Sequence, residues 1–242
     1  RAGDFTVEVE GAEGFFLAAL VERLFRDTKK PFLIVTPTQE EAKTLVKDLE
    51  HLTEDVYLFP WWDAVPLEEK RTPFHIAGER VHRLVQLLRG DPAILVASLR
   101  AYVTPVPPPD FIAGHLFTVK RGMPLDPTEI EEKLQQFRYL RVPRVSVPGE
   151  FALRGEVLDI FLPGVEEAVR IVFEWDEVEE IRFFDPLSQN STGSAESVAV
   201  HPTSEIIWST ERLDKLRELM PRHLSVVEEA EEKREMPDEM YF

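Results

Sequence analysis

Apolar positions in the first hundred residues follow two rhythms. Short apolar runs at Phe5–Glu8, Phe32–Thr36, Val56–Phe59 and Ala93–Ala97 predict strands, and the stretches between them return to an apolar residue every three or four positions, as one face of a helix does. Thr38 followed by Glu41 reads as a capping box, with Ala42, Leu45, Val46 and Leu49 as the buried stripe behind it. Two more helices fit Phe16–Phe25 and Ile76–Leu88, the second turning Val81, Leu84, Val85 and Leu88 inward. Strands that alternate with helices predict a parallel sheet with covering helices, as in a nucleotide-binding fold.

The rhythm changes after the proline-rich stretch Val103–Asp110, which marks a boundary. A helix follows, with Asp126 as N-cap, Pro127 at its first position, and Ile130, Leu134 and Phe137 facing inward. Then β-branched and aromatic residues predominate. Arg141–Val147, Glu156–Phe161, Val169–Glu174 and Val178–Phe184 read as strands, the last two joined by a hairpin around Trp175, Asp176 and Glu177. Ser188–Ser194 reads as a polar loop. From Ala195 onward a short strand, a helix near Ser209–Leu219 and an acidic stretch at Glu228–Glu239 complete the chain.

At 242 residues the chain is long enough for one large domain or two to three small ones, and 43% apolar with 30% charged residues describes a globular protein. Charge adds a constraint: 28 Lys and Arg against 45 Asp and Glu leave a net charge of -17. Non-specific coating of a polyanion such as DNA is therefore not expected, since that binding depends on Lys and Arg displacing counterions. The absence of cysteine excludes disulfides, thiolate metal sites and a Cys nucleophile. With no apolar leader at the start and prolines breaking the weakly charged run Ala101–Val119, a cytoplasmic location is expected.

Gly11-Ala12-Glu13-Gly14 lies between a predicted strand and a predicted helix, where a phosphate-binding loop would lie. Such a loop needs a Lys for the β and γ oxygens and a Ser or Thr for magnesium. Leu17 and Ala18 stand in those places instead, and Glu13 adds a negative charge. A degenerate phosphate loop and an ordinary glycine turn both fit, and both predict no ATPase and no bound cofactor. The six histidines have no metal-ligand spacing; His75 and His82 could share a helix face but have no third partner nearby. No catalytic constellation is visible.

Arginines stand out instead. Arg138, Arg141, Arg144, Arg154, Arg170 and Arg182 fall in the middle of the chain with no lysine among them. Guanidinium pairs with carboxylates in a two-pronged geometry and stacks on aromatics, so an arginine-only strand surface suits a protein interface. Pairing within the chain, with the many nearby glutamates, is the competing explanation.

The run Pro148-Gly149-Glu150-Phe151-Ala152-Leu153-Arg154-Gly155-Glu156-Val157-Leu158-Asp159-Ile160-Phe161-Leu162-Pro163-Gly164, with Val169–Phe173 and Ile181–Pro186, closely resembles the UvrB-homology module of the Mfd family of transcription-repair coupling factors. Phe59-Pro60-Trp61-Trp62-Asp63-Ala64-Val65-Pro66-Leu67-Glu68 resembles the coupling-factor version rather than UvrB itself, as does the missing phosphate-loop lysine.

The resemblance implies an α/β fold in which a degenerate RecA-like, P-loop-like parallel-sheet domain is split by an inserted small α+β module like domain 2 of UvrB. Its segments would be residues 1–104, the insert 105–194, and residues 195–242 returning to the first domain. It further implies that the insert binds UvrA and so recruits nucleotide excision repair to RNA polymerase stalled at a lesion. Arg141, Arg154 and Arg170 match basic contact positions of the UvrA-binding surface, with Phe161 beside them. Ala152 stands where UvrB-like sequences often carry another arginine, a loss for which Arg144 would compensate.

Polymerase and double-stranded DNA would be met by domains this chain does not contain. The chain resembles an amino-terminal portion of a longer protein continuing past Met240-Tyr241-Phe242, and its UvrA surface, masked in the family by a carboxy-terminal domain, is expected to be open. Two alternatives are a UvrB-like nucleotide-dependent repair subunit, which ATP hydrolysis would reveal, and a DNA-binding accessory domain, which salt-dependent binding to bare duplex would reveal.

Overall fold

Helix α1 (Gly14–Thr28), strand β1 (Phe32–Thr36), helix α2 (Gln39–Glu50), strand β2 (Val56–Phe59), helix α3 (Phe74–Arg89) and strand β3 (Ile94–Ser98) follow the predicted alternation in the computed structural model, which describes residues 8–62 and 74–205 together with 207, 214, 215 and 218. Residues 5–7 of the first predicted strand, the second motif from Asp63 onward and the acidic carboxy-terminal stretch lie outside the described residues. So does the predicted Ser209–Leu219 helix, apart from Asp214, Lys215 and Glu218, which are helical. Two compact units divide the chain: residues 1–61 with 86–105, and residues 62–85 with 106–242.

In the first unit, β1, β3 and β2 form a parallel sheet in that order, with Ile34 and Leu58 each opposite Val96. Thr38 caps α2 as predicted, its hydroxyl accepting from the Glu41 amide at 3.2 Å. The stripe Ala42, Leu45, Val46 and Leu49 is buried against Ala18, Phe25, Val56, Ile94 and Val96. Two short helices, α4 (Leu99–Val103) and α5 (Pro109–Gly114), flank the prolines that were expected to form only a connector.

The second unit is built on strands β4 (Phe117–Lys120), β5 (Leu140–Arg141), β6 (Glu150–Arg154), β7 (Val157–Ile160), β8 (Ala168–Glu174), β9 (Glu177–Phe184), β10 (Ser191–Ser194) and β11 (Ser197–Val200), with helix α6 (Pro127–Gln136). Strands β10-β9-β8-β7-β6-β5 make a six-stranded sheet, antiparallel except where β5 meets β6; β4 and β11 pair separately. Asp126 caps α6, accepting from the Thr128 amide at 2.7 Å. Ile130, Leu134 and Phe137 pack on one face of the sheet with Phe151, Leu158, Ile160, Ile171 and Ile181.

Three expectations need correction. The strand expected over Arg141–Val147 is only Leu140–Arg141, because Pro143 has no amide to extend a ladder. Glu150–Arg154 is a strand that the predicted elements left out, and Ser191–Ser194, expected as loop, pairs with β9 at the sheet edge. On α3, Val81 and Val85 are buried as expected, whereas Leu88 is exposed and Arg80 is fully buried.

Arg80 donates from Nε to Glu205 Oε1 at 3.0 Å. Burial pushes the Glu205 carboxyl up to about 7, against the opposing pull of Arg80. A carboxyl raised in the folded state stabilises fully below its unfolded value near 4.5, and that contribution is lost as pH rises through about 7. Between acidic and mildly alkaline pH, the native chain should lose about 2 kcal/mol of unfolding free energy relative to Glu205→Gln. Urea titrations at several pH values measure this, and a native-minus-variant difference that does not move with pH would refute it.

Candidate functional site

An antiparallel sheet that buries one face in a core presents the other to its surroundings. Here α6 occupies one face. Strand register sets Ala152, Asp159, Arg170 and Arg182 side by side across β6, β7, β8 and β9 on the other. Ala152 is fully buried there, in a small cluster with Val145, Phe161, Ala168 and Phe184. Phe161 therefore supports this face from beneath rather than projecting from it.

Asp159 organises the row. Its carboxylate is inaccessible to solvent, which a charge tolerates only when paired and hydrogen-bonded. Arg170 supplies a two-pronged contact, Nε to Oδ1 at 2.6 Å and Nη2 to Oδ2 at 2.9 Å, and Arg154 adds Nη2 to Oδ2 at 2.6 Å. The hydrogen bond that Arg170 donates to Asp159 pushes its guanidinium pKa further up, and its Cζ lies 4.7 Å from the Phe184 ring centroid. Arg182 stands directly opposite Arg170, a like-charge neighbour, and pairs with Glu180. That pairing holds Glu180 below the usual carboxylate range.

Intramolecular pairing thus accounts for part of the arginine set, but it does not consume it. Arg154 remains half exposed and spends one donor on Asp159, leaving others directed to solvent. Arg141, at the β5 edge, pairs with Glu131 of α6 and is also more than half exposed. Arg144 donates from Nη2 to the Leu187 carbonyl at 3.1 Å. Arg154 and Arg170 therefore meet on one carboxylate, whereas Arg141 and Arg144 have partners of their own.

The loop between β9 and β10 was not among the predicted site elements. Asp185 Oδ1 accepts from the Leu187 and Ser188 amides at 2.7 and 2.9 Å, which holds its carboxyl below the usual range. Gln189 has a left-handed backbone (φ 63°); its amide donates to the Asp185 carbonyl at 2.7 Å and its Oε1 accepts from Arg170 Nη2 at 3.4 Å. Leu187 at the loop tip is 82% exposed. Asp185-Pro186 carried the signal for this, since Asp before Pro favours a side-chain-capped turn.

At the other motif, Gly11 and Gly14 have positive φ (73° and 54°), Ala18 is buried in the apolar core of α1 and α2, and Leu17 packs against it. His82 Nδ1 lies 3.1 Å from His201 Nε2. No helix among the described residues is long and apolar enough to cross a membrane.

Residues 117–206, which include the arginine face and the Asp185–Asn190 loop, match the UvrB interaction domain family. Along most of its length the chain is similar to transcription-repair-coupling factors. It is 25% identical to that of Borreliella burgdorferi over 96% of this chain and 21% of the relative. Against the Bacillus subtilis protein it is 28% identical over 81% of this chain and 17% of the relative, and against the Mycobacterium tuberculosis protein 31% identical over 80% and 16%. The chain thus spans about a fifth of the length of these curated relatives.

Proposed function

We propose that this homologue of the transcription-repair coupling factors, with its UvrB interaction domain at residues 117–206, is a non-catalytic recruitment module that binds UvrA through the open face of the six-stranded sheet. The observation that carries the reading is the buried Asp159 carboxylate holding Arg154 and Arg170 in place while Arg154 stays half exposed. Guanidinium groups already held in one orientation lose little freedom on meeting a partner's carboxylates, so they favour a protein over a flexible ligand. An overall charge of -17 opposes nucleic acid as the occupant.

On this reading Arg141, Arg154 and Arg170 contact UvrA, Arg144 compensates for Ala152, and Phe161 shapes the surface from below. Polymerase and double-stranded DNA are contacts of other parts of a coupling factor, in the cytoplasm. Residues 1–104 and those after the insert form the split, RecA-like domain without ATPase activity. On this reading the first domain resumes at residue 195, and β11, within that last segment, is hydrogen-bonded to β4 of the insert.

Calorimetric titration of the chain into purified UvrA tests the proposal. Arg141→Glu with Arg154→Glu should weaken binding by at least about 2 kcal/mol, as charge reversal at desolvated interface arginines does. Both substitutions spare Arg170, so Asp159 keeps its two-pronged partner, and circular dichroism confirms folding. A folded native chain that does not bind at micromolar concentration would sink the functional reading and leave the fold untouched.

A further inference from the structure

We infer that Leu187 is the apolar anchor of this docking face, and that it enters an apolar pocket bordered by carboxylates on the partner protein; this rests on the recruitment reading above. A large aliphatic side chain at 82% exposure is costly to hydration and common enough singly on surfaces. What distinguishes Leu187 is how firmly its backbone is held. Asp185 Oδ1 accepts from the amide of Leu187 and from that of Ser188, Arg144 Nη2 donates to the Leu187 carbonyl, and Gln189 ties the far side of the loop to Asp185 and Arg170. Two of those ties come from arginines of the docking face itself. The backbone that carries the leucine is thus fixed by Arg144 and, through Gln189, by Arg170, so one partner surface can bury the apolar side chain and pair with the guanidinium groups together.

Charge decides the chemistry of the occupant. Arg144 is bonded to the Leu187 carbonyl and Arg170 to Gln189 of the same loop, and Arg170 shares the Asp159 carboxylate with the half-exposed Arg154, so a surface rimmed by acids fits and a basic one does not. Fully burying a leucine side chain corresponds to roughly a 10- to 100-fold gain in affinity.

The test compares binding of the full chain to purified UvrA by surface plasmon resonance at low and high salt. Leu187→Ala should weaken binding about 10- to 100-fold through faster dissociation at both salt concentrations, whereas Arg141→Glu slows association chiefly at low salt. Asp185→Ala should lose affinity although Leu187 is still present, and Asp185→Asn, which keeps the acceptor oxygen, should restore it. Leu187→Ala removes an exposed side chain, so its melting temperature should match the native one.

If Leu187→Ala binds like the native chain while Arg141→Glu with Arg154→Glu is weakened, the anchor is refuted and recruitment stands. If the native chain does not bind UvrA, recruitment falls and the anchor with it. Self-association of the native chain in sedimentation, abolished by Leu187→Ala, would also overturn the inference by making the leucine a contact between copies.

Discussion

Replacing Arg170 with methionine is expected to lower the unfolding free energy by about 3 kcal/mol, the lower end of the range for removing one partner of a buried ion pair. Asp159 is wholly enclosed between β6 and β8, and Arg170 supplies two of its three arginine hydrogen bonds. Once that fork is gone, the carboxylate keeps only Arg154 Nη2, and water cannot reach it to make up the loss. Methionine retains the apolar reach over the Phe184 ring, so the cost measures the charge and not a void. Arg154→Met should cost far less, about 1 kcal/mol, because the two-pronged contact survives it. Adding Asp159→Leu to Arg170→Met should recover most of the loss, since an apolar pair of similar volume replaces a buried ion pair at little cost. Urea unfolding of the native chain and these three variants measures each cost. If Arg170→Met and Arg154→Met cost the same, Asp159 does not depend on the fork.

Much of this was legible in the chain itself, wherever the determining residues are neighbours. Thr38 with Glu41 and Asp126 with Pro127 placed two helix starts, because a cap is a contact between residues two or three apart. The β8–β9 hairpin closed at Trp175 and Asp176 for the same reason, both residues taking positive φ. The arginines could be picked out as a set, but not their organiser. Asp159 reads as one more acidic residue in an acidic chain until the register of three strands sets it between Ala152 and Arg170, within diagonal reach of Arg154. Phe161 was expected beside those arginines, and its burial with Ala152 and Phe184 was not legible. Arg80 was illegible for a similar reason: its partner, Glu205, is remote in sequence, and helical periodicity alone assigned the inward place to Leu88. Ser191–Ser194 has almost no strand propensity and becomes a strand because the edge of β9 offers its backbone a partner.

Gly164→Ala should be the most damaging of the small substitutions, costing about 3 to 5 kcal/mol, because backbone strain and steric overlap act together. Gly164 sits in the turn between β7 and β8 with φ +82°, a conformation that a residue with a Cβ adopts at a penalty of about 1–2 kcal/mol. A Cβ there would lie 2.7 Å from both Cβ and Cγ of His82 on α3, too close to the root of that side chain for rotation to relieve. One turn earlier on the same helix, a Cβ on Gly78 would lie 2.5 Å from Pro163 Cβ. Glycine within a helix costs about 1 kcal/mol relative to alanine, and here that cost admits the Pro163–Gly164 turn against the helix backbone. Gly155→Ala supplies the control: its φ is +60° and its surroundings are open, so it should cost only the backbone penalty of about 1–2 kcal/mol. Thermal unfolding of the two variants separates strain from overlap. Equal losses would mean that α3 and the turn can move apart freely, whereas a larger loss for Gly164→Ala means that this close approach fixes the strand pair from which Asp159 and Arg170 project.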